Sequence, residues 1–270
     1  AIVGDLPVGL QQRVEILKKI EECRQRPVVV YVTSSRGNAS AQMAKDAIPE
    51  FIRQIRLIPD EQPDIDLLVV SDGGDPMVSW RIVSILRERF KKVGTLLPYS
   101  AYSAATLLAL GADEIEMHPF SNLGPVDPQL TIPRRTPSPS GHGDQVEWLQ
   151  FGAEDITNFL DFLRSDIGIT DQEQLGRAIE VLCKDVPAIF MGASKRSSRL
   201  ALLLGEKLLS MHMKDQNKAR AITEALNKSF FHHGYPVRPS EAKRIGLPVM
   251  VAEGMLKDLL WSYWEELGED

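Results

Sequence analysis

The chain has 270 residues, long enough for a substantial core, and carries 37 acidic against 31 basic side chains for a net charge of −6. That balance argues against a dedicated nucleic-acid surface, since the short basic runs Arg134-Arg135 and Lys195-Arg196 fit solvated faces better than a phosphate track. The two cysteines, Cys23 and Cys183, have neither metal-ligand spacing nor the density of a secreted scaffold, and the apolar run at residues 200–204 stops well short of the roughly 18 residues that span a bilayer. The expectation is a reduced, cytoplasmic setting. Because the sequence opens on Ala1 rather than Met, a removed leader or membrane anchor upstream stays open.

In chain order, apolar positions at three- and four-residue spacing predict a first helix over residues 8–20. The β-branched run at residues 28–33 predicts a buried strand, and a polar loop at 34–40 leads to a second helix over about 41–56. A strand at 65–70, a helix at 77–90, a strand at 93–97, a helix from Ser103 to Gly111 and a strand at 114–117 follow. Strand, helix, strand repeated in this way predicts a parallel sheet with right-handed crossovers, whose ligands bind at the carboxyl ends of the strands. Residues 131–143, rich in Pro, Ser and Gly, predict a mobile loop. Residues 153–228 are helical in pattern, residues 240–245 form a short helix closed by Gly246, and a last helix covers 253–266. No internal repeat is present.

Two features fall at the carboxyl ends of the predicted strands. Gly73-Gly74 closes a buried strand, and glycine lets backbone N–H groups approach a ligand because no Cβ blocks the way. Ser103 opens the next helix but one, where free N–H groups and the positive end of the helix dipole lie beside its hydroxyl. A hydroxyl and a set of donors are what acyl transfer requires. The plainer readings are a helix cap for Ser103 and a tight turn for the glycines. Ser100 is a weaker competitor as nucleophile, or a cap or substrate contact. Among the five histidines no pair has the spacing of a zinc helix, and neither a metal nor an organic cofactor is expected.

Four segments resemble the ClpP/crotonase superfamily. Ser71-Asp-Gly-Gly74 is similar to the Ser-Pro-Gly-Gly turn of Clp proteases and signal peptide peptidases, with Asp72 in the place of proline. Ala101-Tyr-Ser-Ala-Ala105 is similar to their nucleophile box, Leu110-Gly-Ala-Asp-Glu-Ile115 to the strand that follows, and Ser240-Glu-Ala-Lys-Arg-Ile-Gly-Leu247 to the helix that closes the core. Two further segments, Leu123-Gly-Pro-Val-Asp-Pro-Gln129 and His233-Gly-Tyr-Pro-Val237, resemble signatures of the serine dehydrogenase proteinases, soluble or membrane-anchored relatives of ClpP. The likeness extends from about residue 27 to 251.

This resemblance implies an α/β fold, a ClpP/crotonase-like spiral of βαβ units with a mainly parallel sheet and a helical C-terminal half. It implies one domain over residues 1–270, with a βαβ core at about 27–130, a flexible loop at 131–145, a helical region at 146–230 and a closing segment with the C-terminal helix at 231–270. It further implies a serine peptidase acting on peptide or protein substrates, without cofactor, and assembled as a homo-oligomer. Carried over residue by residue, Ser103 is the nucleophile, His233 the base and Asp127 the acid, and the N–H groups of Gly74 and Ala104, with Gly73 as a further candidate, form the oxyanion hole. His232 is the alternative base by a one-residue slip, and Lys195 or Lys184 are candidates for a lysine base. Asp127, between Pro125 and Pro128, equally suits a turn aspartate capping its own backbone. Two other functions remain open on the sequence: a catalytically inactive scaffold or regulatory protein of the same fold, and a crotonase-like acyl-CoA enzyme.

Overall fold

In the computed structural model, helix α1 (Val8–Arg24) leads into strand β1 (Val28–Val32), whose four valines and one tyrosine suit a pleated, buried surface. The structure describes residues 8–36, 39–137, 144–230 and 232–268. A two-residue ladder joins β2 (Ser35–Arg36) to β3 (Ala39–Ser40). Helix α2 (Ala47–Arg56) buries Ile48, Phe51 and Ile55, the three- and four-residue spacing of one helix face. Strand β4 (Asp64–Val70), helix α3 (Pro76–Arg89), strand β5 (Lys92–Leu97), strand β6 (Ser100–Ala101), helix α4 (Ala104–Leu110), strand β7 (Glu114–Met117) and strand β8 (Asn122–Leu123) continue the alternation.

The chain divides into two compact units, one formed by the stretches up to Val126 and from Leu204 onward, the other by Asp127–Leu203. The sequence leads one to expect a single domain. In the larger unit five strands pair in the order β1, β4, β5, β7 and a final strand, β11 (Val249–Val251), every pair parallel. Successive strands add on one side, and the result is the expected mainly parallel α/β sheet. Leu67, Leu68, Leu96 and Leu97 are at most 1% exposed, the burial on both faces that a helix-covered parallel sheet imposes. Leu68 and Leu96 pack with Ile20 of α1 and with Leu260 and Tyr263 near the C-terminus, and by alternation Leu67 and Leu97 point to the opposite face.

A second, shorter ladder leaves the end of this sheet. Ser71 bridges Ala101 in parallel, Ala101 of β6 pairs with Leu123 of β8, and Leu123 bridges Val237 in antiparallel fashion.

The smaller unit corrects the expected flexible loop. Strand β9 (Gln129–Pro137) pairs antiparallel with β10 (Asp144–Gly152), so residues 131–137 and 144–145 are ladder, and the helical region begins at Ala153 rather than at 146. Residues 138–143, His142 among them, lie outside the described residues. Ile132 opposite Leu149 and Leu130 opposite Phe151 supply the apolar face, and with Val186, Leu182 and Met191 they form the core of this unit. A two-stranded ladder leaves every second N–H unpaired, so Pro133 and Pro137 do not forbid it. Helix α5 (Ala153–Asp161), a π-helical turn (Phe162–Asp166) and helix α6 (Gln172–Asp185) follow.

Helix α7 (Ala188–Ser210) runs across the division. Helix α8 (Gln216–Lys228), helix α9 (Pro239–Arg244), strand β11 (Val249–Val251) and helix α10 (Gly254–Glu266) complete the larger unit. Gly246 ends α9 with φ of +103°, and Leu247 N–H returns to Ala242 O at 3.1 Å, as its place after the helix predicts.

Candidate active site

The carboxyl end of β4 runs directly into Ser71-Asp-Gly-Gly74. Gly73 and Gly74 have φ of +101° and +148°, values that only glycine adopts without strain. The turn is clamped by Met43, whose N–H donates to Gly73 O at 2.8 Å and whose carbonyl accepts from Asp75 N–H at 2.8 Å. A Cβ on Gly74 would fall within 2.5 Å of Met43 backbone atoms, so this approach also depends on glycine. From the other side, the fully buried Ser71 accepts Gly73 N–H on its Oγ at 3.0 Å, and the same oxygen pairs with Thr33 Oγ1 at 2.6 Å. Gly73 N–H is therefore engaged. Among the described residues no hydrogen bond engages Gly74 N–H.

Ser103 stands at the head of α4 with φ of +52° and ψ of −117°. A serine side chain disfavours this conformation by about 1–3 kcal/mol, and such outliers persist where the surrounding structure enforces them. Its hydroxyl makes no capping bond, which removes the plain reading of a helix cap. Ala104 N–H, the first of the helix, is likewise without a hydrogen bond among the described residues. A Cβ built on Gly73 would lie 2.9 Å from Ser103 Cβ and 3.0 Å from Ala104 N, so the glycine turn and the serine turn are in contact. The structure thus brings Gly73, Ser103 and Ala104 together.

Tyr102 buttresses the serine turn. Its N–H donates to Ser71 O at 2.9 Å and its phenol to Asn122 Oδ1 at 3.0 Å. Its ring lies over Gly124, where a side chain would collide with it. Burial, and then the charges of Tyr99 and Asp72, push the Tyr102 phenol above its ordinary pKa. Asp72 is exposed, and it borders a cleft of about 1100 Å³ whose walls include Thr33, Ser100, Tyr99, Tyr102 and Trp264.

His233 is half-buried in the segment between α8 and α9. Four residues later Val237 exchanges hydrogen bonds with Leu123 at 2.9 and 3.0 Å, the outermost rung of the ladder that starts at Ser71 and Ala101. His232 is exposed and accepts Gly234 N–H on Nδ1 at 3.0 Å, so that nitrogen serves its own turn. Asp127 opens the other unit and accepts from Gln129 Nε2 at 2.7 Å; Lys184 and Lys195 lie on α6 and α7 of that unit.

Two other histidines are structural. His118 is buried, stacks on Trp261 at 4.9 Å between centroids, and has its pKa lowered by burial. His212 meets Leu110 O at 2.9 Å, and burial lowers its pKa as well. Among the described residues no three His, Cys, Asp or Glu side chains gather to hold a metal ion, and no helix is long and apolar enough to cross a membrane. Sequence reasoning missed Ser71, Thr33 and Met43 as supports of the turn. A serine two residues before Gly73 is a local signal for a hydroxyl bonding to the backbone ahead of it. The other two supports depend on distant chain and leave no local signal.

The family model of ClpP-like SDH-type serine proteinases matches residues 8–141, about half of the chain, including Gly73-Gly74 and Ser103. An uncharacterized protein of Methanocaldococcus jannaschii is 28% identical over 200 residues, covering 74% of this chain and 56% of its own length. A second from the same organism is 27% identical over 243 residues, covering 88% and 73%. The chain thus spans only part of the length of these relatives. Among solved structures, a variant of a membrane-bound stomatin-specific protease aligns with a TM-score of 0.49 at 17% identity, covering 84% of this chain and 79% of that one. Another variant, in complex with a substrate peptide, aligns with a TM-score of 0.48 at 18% identity, covering 85% and 76%. Through the match over residues 8–141, the chain belongs to the ClpP-like SDH-type serine proteinases.

Proposed function

We propose that this protein is a serine peptidase that hydrolyses peptide bonds through Ser103. The observation that carries the reading is the backbone of Ser103, a non-glycine residue held at φ of +52° beside a glycine turn, with its hydroxyl uncommitted to capping. Ser103 Oγ attacks the scissile carbonyl carbon while His233 takes the hydroxyl proton. The tetrahedral oxyanion accepts hydrogen bonds from Gly74 N–H and Ala104 N–H, each worth about 3 kcal/mol in the transition state. Collapse breaks the C–N bond, and His233 returns the proton to the leaving amine. Water, deprotonated by the same imidazole, then attacks the acyl-enzyme ester, and as the C–O bond breaks the imidazolium returns that proton to Ser103 Oγ. Asp127 is the residue proposed to hold the imidazole tautomer, on the strength of the family resemblance.

Ala104 N–H, which adjoins Ser103, and Gly74 N–H, which follows the Gly73 that touches Ser103, support this reading because neither is spent on the fold, whereas Gly73 N–H is held by Ser71 Oγ. An inactive scaffold or an acyl-CoA enzyme would make no use of the strain at Ser103. The substrates proposed are peptides or proteins. Assembly into homo-oligomers belongs to the same reading, supported by the exposed Trp148, Val181 and Ile189, at 61–77% exposure, in the smaller unit; light scattering of the purified protein tests it. The test of the chemistry is labelling with a fluorophosphonate probe. Stoichiometric adduct at Ser103, absent from Ser103→Ala, is expected; equal labelling of the Ser103→Ala protein defeats the assignment.

A further inference from the structure

The cleft beside the serine turn is built for more than solvent. It lies at the carboxyl ends of β1 and β4, and it reaches to within one residue of the reacting groups along both chains, through Asp72 next to Gly73 and Tyr102 next to Ser103. Three aromatic rings, those of Tyr99, Tyr102 and Trp264, contribute to its walls, and Tyr99 and Trp264 stack at 4.4 Å. Its charged groups are Asp72, Glu265, Glu266 and Arg13. Arg13 donates to Glu266 O at 3.3 Å, and Glu265 accepts from Trp261 Nε1 at 2.7 Å. The Asp72 carboxylate is exposed and has no hydrogen bond or ion pair among the described residues. Ser100 also borders the cleft. It is only 8% exposed, and no hydrogen bond engages its hydroxyl among the described residues.

Ser100 lines the same cleft with its hydroxyl uncommitted, so that group is available to a ligand that enters. An uncommitted carboxylate, a hydroxyl acceptor and aromatic faces together suit a cation on a flexible stem, which gains a charge-assisted hydrogen bond and contact with ring faces. An acidic ligand side chain would meet Asp72 at close quarters, and an aliphatic one would leave the Ser100 hydroxyl unsatisfied.

We propose that this cleft is the subsite for a basic side chain, lysine or arginine, of the peptide substrate next to the cleaved bond, with Asp72 as the residue that selects it. This rests on the peptidase reading above. Proline at position 72 offers no charge, so the Asp72 carboxylate is a distinguishing feature of this chain rather than a flaw in its oxyanion turn.

Two measurements separate the subsite from the chemistry. The first compares hydrolysis of fluorogenic peptides that differ only in lysine, norleucine or glutamate at positions flanking the cleaved bond. Lysine is expected to exceed norleucine by about tenfold in kcat/KM, the scale of one hydrogen bond to a charged group. Asp72→Asn is expected to bring that ratio near one, and the ratio within each protein controls for altered folding. The second is calorimetric titration of the Ser103→Ala protein with the same lysine and norleucine peptides, where the same preference and the same loss on Asp72→Asn are expected. Ser103-dependent hydrolysis with no lysine preference, or with one untouched by Asp72→Asn, overturns the subsite and spares the peptidase. Selective binding of lysine peptides without Ser103-dependent hydrolysis sustains the subsite and overturns the peptidase.

Discussion

The two ends of the parallel sheet solve opposite problems. At the amino ends of its strands, Arg24 and Arg26 bridge Asp66, Glu114 and Glu116, and Lys92 meets Glu114 at 2.6 Å, so that charges with side chains mostly under 16% exposed are cross-paired. At the carboxyl ends, backbone N–H groups are left open, Ser103 is strained and Asp72 stands without a counter-charge. A buried charge demands a partner, so the amino end is saturated. On the proposed chemistry the carboxyl end has to keep donors and strain in reserve, which the rigid sheet between the two makes affordable.

Substitutions can break this contrast. Ser103→Ala has the largest expected effect on activity, a loss of about ten thousandfold or more in kcat with the thermal midpoint nearly unchanged. Gly74→Ala comes next: its Cβ meets Met43 backbone atoms at 2.5 Å, so peptide hydrolysis should fall by about a hundredfold or more and stability by about 3 kcal/mol. At the opposite end Glu114→Gln should cost about 3 kcal/mol in denaturant unfolding while kcat of the folded fraction stays within about twofold. Such a result would show that saturation serves stability alone.

The amino end also carries a pH signature with two signs. Burial raises the Glu114 pKa, but hydrogen bonds from Lys92 and Arg24 and the charge of Arg26 outweigh it, so the net value falls below the ordinary carboxylate range. Glu114 therefore adds stability that is present above the ordinary value and lost as pH falls through the lowered one. At Glu116 burial prevails, with Glu114 and Asp66 adding to it against Arg24, and the pKa is raised. The folded state then holds a proton that the unfolded chain releases, so stability declines as pH rises through that window. Glu116→Gln should flatten this decline in urea titrations carried upward in pH from the ordinary carboxylate range.

The smallest effect expected is Ser103→Gly, which should exceed Ser103→Ala in stability by up to about 1 kcal/mol, because glycine accepts φ of +52° and alanine does not. Equal stabilities would show that no strain is stored there.

The carboxyl end was the more legible of the two. Gly73-Gly74 after a buried strand and Ser103 before an apolar helix are local patterns, and the alternation of short β-branched runs with helical periods predicts the parallel sheet. The charge network was invisible because Arg24, Asp66, Glu114 and Glu116 are scattered over 93 positions, numbers 24 to 116, and only sheet register brings them together. The hairpin β9–β10 was hidden by composition: Pro133, Pro137 and the serines suggest a loop, while the alternation of Leu130 and Ile132 that builds its face is only two residues long. Asp127 and His233 rest on motif resemblance, since neither spacing nor periodicity distinguishes a triad acid from a turn aspartate.

The short ladder from Ser71 through Ala101 and Leu123 to Val237 also imposes an order in time. Its first three members are made within about 50 residues of one another, but the last rung waits for a segment translated more than 100 residues later. On the proposed chemistry, a chain emerging from the ribosome carries its nucleophile long before the base arrives with residues 233–237. On that chemistry the site is incomplete, and so inert, until the segment that carries its base has been made.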